Sequence, residues 1–451
     1  MSARRDRDAT LCWGAAGGLG PDGHRALRIA LLMHSLNPRG GVVHTLELAD
    51  ALVERGHEVT VFAAAAPGQG LFRPTRARLS VAPLGSLPSG LVPMVGARMA
   101  AMAAHLRAQP DLHRFDVLHS QDSISANALA TLQDEDLIPG FVRTVHHLDH
   151  FDETQLSAWQ TRGVRAASQL CCVSALWQGV LARDWGRQAV LVPNGVNLQR
   201  YLPEVDAKQD QADAALLAQL GVQRQGPVWL AVGGVEERKN TVRLLQAFAQ
   251  VVNAAQAGQG PAHHARAAAR AQLVVAGGAS LLDHDAHARD FNAILQAQGW
   301  APGQPGEGRV LLTGPLPDAA LPALYRRATA LAMPSLREGF GLCVLESLAC
   351  GTPAIASRIA PFTEHLAADE VLWADPLDVD SIAHALWRSL DPDQAAPVLA
   401  SAHAVCARMA WSHSAERHEA LYRSHLASAL AQAPADLKLP PPAPVWSDHH
   451  A

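Results

Sequence analysis

The chain has 451 residues, 49% of them hydrophobic and 18% charged, with a formal charge of −5. This length exceeds what one hydrophobic core usually supports and predicts two domains, while interspersed charges without a basic stripe argue against a nucleic-acid surface. Six irregularly spaced cysteines fit neither a disulfide framework nor a zinc site, and suit a reducing cytoplasm.

Residues 1–26 carry positive charge but no long apolar core, so they read as a disordered extension and not as a secretory signal. Residues 27–34 (LRIALLMH) form a compact apolar run that ends at Asn37-Pro38-Arg39-Gly40-Gly41. Leu46, Ala49, Leu52 and Val53 then recur at helical spacing, and 58–63 (EVTVFA) is a second strand. Strand, glycine turn, helix, strand is the order of a parallel βαβ unit, and it places backbone amides where a phosphate can be received. The weakly polar run 90–106 contains Pro93 and Arg98 and is too short to span a bilayer. It reads as a first-domain helix, with peripheral docking on a membrane surface as the alternative.

Further strands are predicted at 116–119, 141–145, 169–173 and 189–192. His119, Asp122, His146 and His147 fall at carboxyl ends of these strands, where parallel sheets bind ligands. Asn194, in the turn-rich Pro193-Asn194-Gly195 loop, reads as a turn former. A polar connection over 206–227, with a helix around 213–220, separates the first domain (27–205) from the second (228–405). In the second domain, strands are predicted at 228–232, 272–276, 310–313, 328–333 and 354–356, with helices between them, and 256–271 reads as a solvated insertion. A helical stretch over 400–430, whose 406–430 part is expected to return to the first domain, precedes a Pro-rich tail at 431–451.

Residues 334–353 (PSLREGFGLCVLESLACGTP) set Glu338 and Glu346 around a glycine-bearing turn and a short apolar helix. Leu342, Leu345, Leu348 and Ala349 share one face of that helix, which leaves Glu346 on another side. A helix starting near Gly341 presents unpaired amides and the positive end of its dipole. Two DxD strings, Asp283-His284-Asp285 and Asp378-Val379-Asp380, lie in an apparent loop and before a helix, and read as chance rather than as metal ligands.

With Gly40-Gly41, GHEVTVF (56–62), PNGVN (193–197), GGVEERKN (233–240), EGFGLCVLESLACGTP and SAERHEALY (414–422), the chain resembles retaining glycosyltransferases of the GT-B fold, family four. The resemblance runs from about Arg28 to about Tyr422. It implies an α/β chain with two Rossmann-like, doubly wound parallel-sheet domains facing across a cleft, and a nucleotide-sugar donor, UDP-linked by family precedent.

Under this resemblance Glu338 binds donor-sugar hydroxyls with the amides of Phe340, Gly341 and Leu342, and Glu346 binds the ribose. Lys239 contacts the donor phosphates, Arg238 supplies a second charge, and Gly40 and Gly41 complete the phosphate cradle from the other domain. His146, in TVHHL, stands near the reacting sugar, and Glu364 either contacts the nucleotide or caps a helix. Relatives often carry an arginine where this chain has Gly234, and an aspartate where it has His147. No metal or other cofactor is implied, since Lys239 and the helix amides can stabilise the departing phosphate. A UDP-sugar 2-epimerase of the same architecture and an inactive glycan-binding subunit are the alternatives. The acceptor, whether small molecule, lipid or glycan, is not legible.

Overall fold

The computed structural model describes residues 25–278, 285–300 and 308–432. Most of the expected N-terminal extension, most of the Pro-rich tail, and Asp283 and His284 lie outside the described residues.

Seven strands, β1 (Arg28–Met33), β2 (Glu58–Ala65), β3 (Arg78–Pro83), β4 (Val117–Ser120), β5 (Val142–Val145), β6 (Gln169–Cys172) and β7 (Val190–Leu191), form a sheet in the order β3-β2-β1-β4-β5-β6-β7. Six more, β8 (Val228–Val232), β9 (Gln272–Ala276), β10 (Val310–Gly314), β11 (Ala330–Met333), β12 (Ala354–Ser357) and β13 (Leu372–Ala374), form a second sheet in the order β10-β9-β8-β11-β12-β13. Every strand pair in both sheets is parallel. The expected α/β architecture of two doubly wound sheets is the one the chain adopts. Strands β9, β11 and β12 are buried along their whole length, as continuous apolar runs covered by helices on both faces should be.

Four local features differ from the sequence expectation. Edge strand β3 is largely exposed, so its residues lack the apolar run that marks a central strand. The short strand β13 offers only three residues of pattern. Within the supposed insertion a helix forms over Ala262–Ala268. The C-terminal helical stretch is two helices, Pro392–Arg408 and Trp411–Gln432, interrupted where Ala410 bridges to Val196 of the first domain. Among the described residues no helix is long and apolar enough to cross a membrane.

The last helix packs on the first domain. Trp411, Ala415, Leu421 and Tyr422 share a core with Ile29, Leu31, Val42 and Leu46. Glu419 meets Arg55 at 2.7 Å and lies 3.3 Å from His57, and it also takes Arg423. Further contacts join the domains. Arg200 forks onto Asp318 with both bonds at 2.7 Å, and Glu364 accepts the amides of Ala175 and Leu176 at 2.7 and 2.8 Å. Glu364 therefore caps a helix of the opposite domain (Ala175–Trp185), one of the two roles left open for it.

Candidate active site

In each sheet the strand order reverses direction at one place, between β1 and β4 and between β8 and β11. Loops leaving the carboxyl ends of such strands border a crevice, the usual ligand site of open parallel sheets.

On the second-domain side, β8 runs into the loop 233–240 and β11 into 334–341. The two loops are laced together, with Leu336 N donating to Arg238 O at 2.9 Å and Asn240 Nδ2 to Pro334 O at 2.9 Å. This brings Lys239 Nζ to 2.6 Å from Glu338 Oε1, although 99 positions separate them in the chain. Ser335 Oγ donates to the same oxygen at 2.9 Å, and Arg238 Nη1 stands 3.3 Å from the other. Burial pushes the Glu338 carboxyl up, but the charges of Lys239 and Arg238 and the hydrogen bonds outweigh it and hold the group below the usual carboxylate range. Glu338 is thus a buried, ionised carboxylate with fixed partners.

The helix Leu342–Ala349 starts beyond Gly341 (φ 96°) with no side chain capping it. Uncapped helix starts of this kind can receive anions. Phe340 is buried and stacks on His365, with centroids 4.6 Å apart. Leu342 packs against the cores of both domains. The expectation that Glu346 stays clear of the buried face is corrected: it is 6% exposed and accepts the Tyr325 hydroxyl at 2.7 Å. Helix Ala320–Arg327, which carries Tyr325, covers that side. Burial pushes the Glu346 carboxyl up, against the opposing hydrogen bonds of Tyr325 and Tyr201.

On the first-domain side, Gly40 and Gly41 are the first two residues of the helix Gly40–Glu54, whose N-terminus also lacks a side-chain cap. A Cβ at Gly40 would meet open space, and one at Gly41 would lie 3.8 Å from the His146 ring. His146 belongs to a group of imidazoles that no sequence motif announces. Its ring lies 4.5 Å from His44, edge to face, and His44 in turn lies 5.3 Å from Trp411 and 5.9 Å from His418. Asn194, read as a turn former, is buried and accepts from His44 Nδ1 at 2.9 Å. His418 Nδ1 faces the Ser414 carbonyl at 2.9 Å. Both rings are thereby fixed with the proton on Nδ1, and Nε2 is left bare. Burial, aided by neighbouring histidines, holds His44 well below the ordinary range and His146 at about 3, and burial alone brings His418 to about 4. These rings are neutral. In the sequence His146 stands in TVHHL and His418 in SAERHEALY, but nothing there joins the two to His44.

His119 and Asp122, the supporting residues at the end of β4, act on their surroundings. His119 is bonded at both nitrogens, to the Tyr422 hydroxyl (2.8 Å) and the Thr144 hydroxyl (2.7 Å). Asp122 caps the helix Ser123–Asp134 and accepts from His34 N at 2.8 Å. His119, Cys171 and His418 offer the one group of potential metal ligands among the described residues, with ligand atoms within 4.8 Å of one another. Thr144 already bridges His119 and Cys171 there, so the group is closed as a hydrogen-bond network.

The two halves touch at the site. A Cβ on Gly339 would come within 2.5 Å of the His146 carbonyl oxygen, so only glycine lets the Glu338 loop approach this closely. Trp177 Nε1 donates to the Glu338 carbonyl at 3.4 Å. Gly234 has φ 76°, and a Cβ there would lie 2.8 Å from Gly278 O. The missing arginine thus coincides with a backbone that has no room for a side chain.

Residues 38–200 match the family described as Glycosyltransferase Family 4, and residues 214–396 match Glycosyl transferases group 1. A D-inositol 3-phosphate glycosyltransferase of Salinispora arenicola is 30% identical over 349 residues, covering 71% of this chain and 72% of that one. The chain belongs to glycosyltransferase family 4. A second relative of this family 4 enzyme, the D-inositol 3-phosphate glycosyltransferase of Acidothermus cellulolyticus, is 28% identical over 411 residues, 86% of each chain. Among solved structures, Anabaena HepE in complex with UDP and glucose superposes with a TM-score of 0.66 at 17% identity, over 88% of this chain and all of that one. That likeness establishes the GT-B fold.

Proposed function

We propose that this family 4 glycosyltransferase moves a sugar from a UDP-sugar to an acceptor hydroxyl, keeps the anomeric configuration of the donor, and needs no metal ion. The observation that supports this most is the Lys239–Glu338 pair at 2.6 Å, set at the second-domain switch point beside the uncapped helix Leu342–Ala349 and within reach of His146 across the crevice.

Each part answers a demand of the donor. A diphosphate leaving group develops negative charge, which Lys239, Arg238 and the amides of Phe340, Gly341 and Leu342 can stabilise without reorganising. Glu338, kept ionised, accepts hydrogen bonds from sugar hydroxyls. Glu346 retains acceptor capacity for ribose hydroxyls, as acidic residues do in dinucleotide sites. Neutral His146 is a hydrogen-bond partner for the sugar and not an acid. Same-face attack, with the donor phosphate taking the acceptor proton, is the retaining route this reading adopts. The relatives' names make D-inositol 3-phosphate the first acceptor to try.

The test is incubation with α-linked UDP-glucose and D-inositol 3-phosphate, with and without EDTA, and proton NMR of the product. The account expects UDP release, an α-glycoside and insensitivity to EDTA. A β-glycoside or an EDTA-sensitive rate would overturn the corresponding part. Conversion of the UDP-sugar without any acceptor would favour the epimerase.

A further inference from the structure

The two buried carboxylates of the second domain are held by different chemistry. Glu338 has Lys239 and Arg238 on its oxygens, whereas Glu346 is held by two tyrosines. The Tyr325 hydroxyl donates to Glu346 Oε2 at 2.7 Å, and Tyr201 supplies a second hydrogen bond. The two rings meet edge to face with centroids 5.9 Å apart, and both are buried. An ionised carboxylate offers about four lone-pair sites, so two hydroxyl donors fix its orientation and leave it room to accept from further hydroxyls. Neutral donors do this without cancelling its charge.

The tyrosines come from opposite domains. Tyr325 lies on the second-domain helix Ala320–Arg327, and its carbonyl accepts the Thr352 hydroxyl at 2.6 Å. Tyr201 follows the PNGVN stretch of the first domain, and its backbone N donates to Asn197 O at 2.9 Å in a turn. Asn197 Nδ2 donates to Glu47 Oε2 at 2.8 Å, which ties that turn to the helix Gly40–Glu54, and Arg73 pairs with the other Glu47 oxygen at 2.9 Å. Arg200, next to Tyr201 in the chain, forks onto Asp318 just ahead of the helix that carries Tyr325. Each tyrosine is thus locked by packing and by hydrogen bonds one step behind it, the kind of support that keeps a ligating group in a single geometry.

We propose that Tyr325 and Tyr201 are positioning residues that aim the Glu346 carboxylate at the 2′- and 3′-hydroxyls of the donor ribose, so that reading the ribose depends on both domains. This rests on the reading of Glu346 as the ribose ligand. Asn197, with no part of its own in donor binding, then acts through the turn that carries Tyr201.

The probes are UDP and 2′,3′-dideoxy-UDP, titrated calorimetrically into the full chain as wild type, Tyr325→Phe, Tyr201→Phe and Glu346→Ala. Wild type is expected to prefer UDP by at least about tenfold, since the dideoxy ligand lacks both hydroxyls. In each Tyr→Phe variant, which keeps the ring and removes only the hydroxyl, the preference shrinks to about threefold or less, because UDP binding weakens while dideoxy-UDP binding stays within about twofold of wild type. A role in packing alone would weaken both ligands alike and leave the preference intact, and that result overturns the proposal. Loss of the preference in Tyr325→Phe but not in Tyr201→Phe overturns the part assigned to the first domain. A preference kept in both tyrosine variants but lost in Glu346→Ala removes the positioning role and leaves the ribose reading standing. A preference kept in Glu346→Ala, equal binding of the two nucleotides by wild type, or no binding of UDP overturns the ribose reading and the proposal with it.

Discussion

The two walls of the crevice treat buried titratable groups in opposite ways. On the second-domain wall Glu338 keeps its charge because Lys239, Arg238 and Ser335 are placed on its oxygens. On the first-domain wall His44, His146 and His418 pair with no carboxylate among the described residues, and burial removes their charge. In the proposed reading the charged wall meets the diphosphate and its sugar, and the neutral one meets groups that carry no charge at the reacting centre.

The contrast breaks most visibly if Glu338 is discharged. Glu338→Gln retains shape and hydrogen bonding but loses the charge that orders Lys239, and transfer should fall by about three orders of magnitude. Initial rates, checked against an unchanged melting profile, measure this; full activity would remove Glu338 from the site. Next in size, His146→Ala should lower kcat by about a hundredfold through loss of a positioned hydrogen bond, with UDP affinity kept, because it lies on the opposite wall. Equal loss of UDP affinity would mean that the two walls do not divide the substrates.

The neutral histidines also predict a pH dependence of stability. His146 is held at about 3 and His418 at about 4, against 6.5 in the unfolded chain. Below 6.5 the unfolded chain takes up protons at these rings and the folded chain does not, so their contribution is complete above 6.5 and is lost as the pH falls toward the folded values. At about pH 5 each ring costs about 2 kcal/mol, measurable by denaturant unfolding at about pH 7.5 and about pH 5. His418→Asn should remove one such share, and an unchanged slope in that variant would mean His418 titrates freely. The smallest effect concerns Gly234. Gly234→Arg restores the residue common in relatives, but at φ 76° and against Gly278 O it should destabilise the chain by about 1–3 kcal/mol without tightening UDP binding. A gain in UDP affinity would show that the loop can open for the side chain.

The second-domain wall was far more legible in the sequence than the first. Its strands are continuous apolar runs, and Glu338, Glu346 and Lys239 sit in motifs whose residues lie close together along the chain. Glu346 shows the limit of that legibility, since helical periodicity gives the side of its own helix but not that Tyr325 of another element covers it. The histidine group is assembled from His44, His146 and His418 with Asn194 and Trp411, five positions on four segments far apart in the chain. Tyr422, within the quoted SAERHEALY pattern, gains its meaning only when the last helix folds back and its hydroxyl meets His119. Close approach of Gly339 to His146 is likewise a property of two loops in contact and leaves no pattern in either.

The central claim, that Lys239 and Glu338 mark a nucleoside diphosphate site, is tested most directly by calorimetric titration of UDP into wild type and Lys239→Met. The account predicts saturable binding to wild type and a loss of at least about tenfold in the variant, as expected for removal of a charge-assisted phosphate contact. Equal affinities for the two proteins, or no binding of UDP to wild type, would contradict it.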